Sequence, residues 1–187
     1  MKILISYLAL ALFLLNSNLS FAQLPVKIVS GNLQIDDGSI VFNPKAYVKA
    51  TDSLSNVLKS HPTDTGALFY HSFLLYKSND IMVKPYPNAA SMSALVKANA
   101  EVNKAAAIGM KDLRLKILHA NILVSLCYQY GSDESWKIKD DQVAKRRVQF
   151  NSYKKAANEA LDELIKIDSS NSFDYEHKKV KNDYPIR

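Results

Sequence analysis

Apolar positions along the middle of the chain recur three and four residues apart, the spacing of a helix with one buried face. Ala50, Leu54, Val57 and Leu58 follow this rule after Asn43-Pro44, an N-cap followed by a proline in the first turn. Pro62 stops that helix, and Asp64 caps a second one reaching about Lys77. After a Pro- and Asn-containing stretch from Ser78 to Asn88, the spacing predicts a third helix from about Ala90 to Ile108. Gly109 is placed to end it in the left-handed conformation and Asp112 to cap the next. The fourth, Leu113 to about Tyr130, is apolar on most sides and is expected to be the most buried. Gly131 to Lys139 reads as a second long loop. Asp140 or Asp141 then caps a fifth helix reaching Ile167, and a short amphipathic helix from Ser172 to about Val180 covers the end of the stack.

Residues 23–42 follow another pattern. Leu33-Gln-Ile35 and Ile40-Val-Phe42 flank Asp36-Asp37-Gly38, which predicts an extended arm or a hairpin turning at Asp-Gly. Such a hairpin is marginal alone and is expected to pack on the helices. Before it, Lys2, the apolar run Ile3 to Leu15, a polar stretch and Ser20-Phe21-Ala22 have the order of a secretory signal peptide, residues 1–22, cleaved after Ala22. The expected location is therefore the periplasm or the cell surface. Cys127 is the only cysteine, so neither a lipid anchor at the cleavage point nor an internal disulfide is expected, and the thiol reads as a buried, inert one.

The tight turns share a register. Ala50, Leu54, Val57, Pro62 and Asp64 are matched in offset by Ala98, Val102, Ala105, Met110 and Asp112, and again by Ala157, Leu161, Leu164, Ser169 and Asn171. These junctions resemble tetratricopeptide repeats, in which a small residue lets paired helices approach and a Pro ends the unit before an Asp or Asn opens the next. Met110 and Ser169 replace the Pro, and the intervals Ala50 to Ala98 and Ala98 to Ala157 exceed the family's unit of about 34 residues, the extra length falling in the two long loops. What the resemblance implies for residues 43–187 is an all-α, antiparallel helix-turn-helix array of about six helices, following the N-terminal arm.

Composition narrows the chemistry. The formal charge of +6 is mixed in sign along the chain, and Lys2 leaves with the leader, so a nucleic-acid partner is not expected. No phosphate loop, His-Glu-x-x-His pair, nucleophile elbow or Cys-x-x-Cys occurs, so neither an enzyme, a cofactor nor a metal is expected. His71 and His119 share an offset but fall on stacked helices, too far apart for one metal. In an up-and-down array the tight turns share one rim and the long loops the other. The loop rim gathers Tyr47, Tyr86, Tyr128, Tyr130 and Trp136 with Lys84, Lys137, Lys139, Lys145, Arg146 and Arg147. The candidate partner-binding residues are Tyr86, Trp136, Lys145, Arg146 and Arg147, aromatic and cationic groups suited to a protein or peptide segment. A glycan or small ligand is the alternative, since aromatic long loops on such helices also look like the scaffold of outer-membrane starch-binding lipoproteins; a structural envelope role is another.

Overall fold

The computed structural model describes residues 25–36, 38–82, 88–130 and 139–184. The leader and its cleavage site, the Pro85-Tyr86-Pro87 loop and the loop carrying Trp136 lie outside the described residues. The described chain is all-α apart from one hairpin. In order, strands β1 (Val26–Val29) and β2 (Asn32–Ile35) precede helices α1 (Gly38–Val41), α2 (Pro44–Ser60), α3 (Thr65–Met82), α4 (Ala89–Ile108), α5 (Leu113–Tyr128) and α6 (Asp140–Ile167). A 3-10 turn (Ser169–Asn171) then leads into α7 (Ser172–Lys178).

Most helix boundaries follow cap chemistry. Asn43 Oδ1 accepts from the Lys45 and Ala46 amides at 3.1 and 3.2 Å, with Pro44 as first residue of α2. Asp64 Oδ1 accepts the Ala67 amide at 2.9 Å at the start of α3, and Asp112 Oδ1 accepts the Arg114 amide at 2.8 Å at the start of α5. Gly109 ends α4 with φ +108, and the Met110 amide closes onto the Ala105 carbonyl. The expected cap of α6 is corrected: Lys139 occupies that position without a side-chain bond, and Asp140 and Asp141 lie in the first turn, where a carboxylate favours the positive end of the helix dipole.

Consecutive helices pack against one another, and α3 also touches α5 directly, so α3, α5 and α7 form one layer and α2, α4 and α6 the other. The small residues of the repeated register, Ala98 and Ala157, are fully buried, and Leu54, Leu161 and Leu164 pack beside them. Each such leucine stabilises the fold by about 1.5–3 kcal/mol through the surface it removes from water. Helix α5 contributes nine buried residues, more than any other helix for which buried residues are given, because it is enclosed by α4, α6 and the hairpin.

The arm is a hairpin, but its turn is not at Asp-Gly. β1 and β2 pair antiparallel with Val29 opposite Asn32, so Ser30 and Gly31 form a two-residue turn with φ 47 and 63. Positive φ at both positions is the geometry whose twist suits a hairpin. Ile40 and Val41, expected in a second strand, lie in the four-residue α1.

Candidate functional site

The loop rim is built by the end of α5 and the beginnings of α4 and α6. Positions 143, 146, 150, 153 and 157 of α6 follow one another at three and four residues, so Arg146 stands in the inward stripe one turn before Phe150. Its guanidinium lies over the Tyr130 ring, 5.3 Å from the centroid. Tyr130 in turn meets Phe150 edge-on at 6.2 Å, Tyr153 at 6.5 Å and Tyr184 at 6.2 Å. Lys145 and Arg147 point to either side of that stripe and are exposed, with Lys145 forming a loose ion pair to Asp141 at 3.7 Å. The three consecutive cations are therefore not one patch: one packs and two face solvent.

Burial raises the Tyr130 hydroxyl to about 12, with Tyr153 adding to the effect and Arg146 opposing it, so the ring meets the guanidinium as a neutral phenol. Two donors at this rim have no acceptor. Arg146 Nε is buried and unpaired, and so is Gln129 Nε2, whose Oε1 accepts the Asn88 amide at 3.2 Å. Tyr47, expected at the rim, is instead a core residue whose hydroxyl donates to the Leu74 carbonyl. Tyr128 is 45 % exposed. Tyr86 and Trp136 lie outside the described residues.

Groups with intrinsic reactivity are occupied by packing. The Cys127 thiol is fully buried and pushed up to about 12 by that burial, which leaves it protonated and inert at neutral pH. His71, also buried, donates from Nδ1 to Glu101 of α4, 2.7 Å from Oε2, and so pins α3 to α4 rather than meeting His119. His119 is half-buried and held below the ordinary imidazole range by desolvation, with Glu163 opposing the shift. Among the described residues no group of three or more His, Cys, Asp or Glu side chains could hold a metal ion. An open groove of about 640 Å³ runs along the outer face of α2, lined by Pro44, Val48, Lys49 and Asp52 among others.

A second constellation, absent from the sequence reading, lies where the hairpin crosses α5 and reaches α7. Asn171 Oδ1 accepts the Gly31 amide at 3.1 Å, and Lys178 Nζ donates to the Gly31 carbonyl and to Asn121 of α5. The same ammonium stands 5.6 Å from the Tyr175 ring centroid. Ser-Gly between Val-Lys-Ile-Val and Asn-Leu-Gln-Ile was the available signal for this turn, but nothing local announces a partner 140 residues away.

Burial pushes the Lys178 ammonium down from 10.5 to about 8, with Lys77 adding to the push and Asp174 opposing it. A lysine with its folded pKa below its unfolded one penalises the fold while charged, and the penalty is relieved as pH rises through the folded value. Between roughly pH 7 and pH 9 the wild-type chain should gain about 1 kcal/mol of stability relative to Lys178→Met. Denaturant melts of the two at each pH read this directly; a difference that does not change with pH contradicts it.

No family model, curated protein or solved structure matches this chain.

Proposed function

We propose that the chain is an exported, non-catalytic, tetratricopeptide-like module that mediates protein–protein interaction in the periplasm or at the cell surface, through the rim bearing Arg146. The observation that supports this reading is the pair of donors without acceptors, Arg146 Nε and Gln129 Nε2, on one rim. A buried donor left unpaired costs about 1–3 kcal/mol, and a partner that supplies carbonyl or carboxylate oxygens recovers it. Arg146 is already oriented by Tyr130, and exposed Lys145 and Arg147 flank it. This suits an acidic or main-chain-presenting protein segment. A sugar hydroxyl is a weaker acceptor for a guanidinium than a carboxylate, so the glycan reading ranks second.

The test uses Lys145→Ala with Arg147→Ala, both exposed and off the packed stripe, so the melting temperature should stay within about 1 °C. Capture of the partner from the native envelope should weaken about tenfold, the loss of a flanking cationic pair at an interface. Undiminished capture by the double variant removes this rim from consideration.

A further inference from the structure

The hairpin is held to the helices at its tip and along one face, and both sets of contacts have the character of ligand recognition. At the tip they read backbone: Asn171 takes the Gly31 amide and Lys178 the Gly31 carbonyl. They also read the absence of a side chain, because a Cβ on Gly31 would lie 2.9 Å from Tyr175 Cε1 and 3.2 Å from Asp174 Cβ. The receiving side is braced without the hairpin. Asp168 accepts from Asn171 Nδ2 at 2.9 Å and from the Tyr175 hydroxyl at 2.6 Å, which fixes the two side chains that meet Gly31. Behind the tip, Val26 and Leu33 are buried and Ile28 and Ile35 half-buried, whereas Lys27, Val29, Asn32 and Gln34 on the other face are exposed. The strands pair only with each other, and β2 lies against α5.

We infer that the socket between α5 and α7 is a recognition site for a β-hairpin with glycine at the second turn position and alternating aliphatic residues on one face. The chain's own arm fills it, and a partner protein presenting a hairpin of this chemistry binds by displacing that arm. The occupant is defined by what is seated there: aliphatic side chains at i and i+2 supply affinity, and the glycine tip supplies selectivity. Because the arm competes from the same molecule, the socket's apparent affinity is reduced by the fraction of molecules in which the arm is open. This surface is separate from the rim of Arg146, and either assignment stands or falls without the other.

A labelled synthetic peptide of residues 25–36 tests the inference against the full chain. Leu33→Ala in the protein weakens the arm and leaves Asn171, Tyr175 and Lys178 in place. The peptide should bind this variant at least about tenfold more tightly than the wild type, the increase following the open fraction. The peptide carrying Gly31→Ala should lose binding to the same variant by a similar factor, and so should the original peptide when Asn171→Ala is added to the protein. Equal binding to wild type and Leu33→Ala, or equal binding of the two peptides, overturns the proposal. Concentration-dependent dimerisation of Leu33→Ala without peptide also overturns it, by assigning the socket to a second copy. Should Leu33→Ala fail to fold, hydrogen exchange on the wild type decides: the strand amides should exchange at least about tenfold faster than those of α5, as a separately opening unit does. Equal protection of the two excludes a displaceable arm.

Discussion

Replacing Gly31 by alanine lowers the stability of the fold by about 2–3 kcal/mol, of which roughly 1 kcal/mol is the left-handed backbone and the rest is collision. The φ of +63 disfavours any L side chain, and the new methyl meets Tyr175, a fully buried ring whose hydroxyl is anchored on Asp168. The ring has no space to retreat into, so the turn must lift, breaking the Asn171 and Lys178 bonds and exposing Val26 and Leu33. Gly109→Ala is the matched control. Its φ of +108 is also left-handed, yet nothing lies within 4 Å of the added methyl, so it should cost only about 1 kcal/mol. Denaturant melts of both variants measure the difference; equal losses mean that the Tyr175 contact contributes nothing.

The same glycine marks where local reading stops. Helix boundaries set by a neighbour within four residues were legible: Asn43 with Pro44, Pro62 with Asp64, and Gly109 with Asp112 each act through bonds or torsions inside their own turn. The arm's turn was not. Asp-Gly at 37–38 is the stronger local hairpin signal, but Ser30-Gly31 is the turn formed, and the groups that embrace it stand on α7. Asn171 falls where Asp64 and Asp112 cap the next helix, yet it makes no cap bond and gives its oxygen to Gly31 instead. The pairing of His71 with Glu101 bridges two helices and 30 residues, so neither residue alone disclosed it. At the rim, the run Lys145-Arg146-Arg147 read as one solvated face because like charges adjoin. The three-and-four spacing from Val143 through Arg146 to Phe150 held the information that the middle cation turns inwards.

Phe150→Ala is expected to be the costlier change, at about 3–5 kcal/mol against a total stability of order 5–15 kcal/mol. The ring is fully buried and joins three segments: α6, which carries it, Tyr130 at the end of α5, and Tyr184 on the C-terminal strand of chain, 5.9 Å away. That last segment is strapped along α6 by paired bonds between Asn158 and the Val180 backbone, at 2.9 and 3.1 Å. Lys154 adds bonds to the carbonyls of Lys181 and Asn182. These bonds hold the strap from one side only, so emptying the space under Tyr184 leaves its ring without a floor. The melting temperature should fall on the order of 10 °C, and proteolysis should begin at residues 181–184 before the helices open. Phe150→Leu, which refills most of the volume, should recover more than half of the loss. Because Tyr130 rests on the same ring and Arg146 on Tyr130, partner capture at the rim should fall in Phe150→Ala and return in Phe150→Leu. Loss of stability with capture intact would separate the core from the rim and show that Arg146 is held by something other than this aromatic stack.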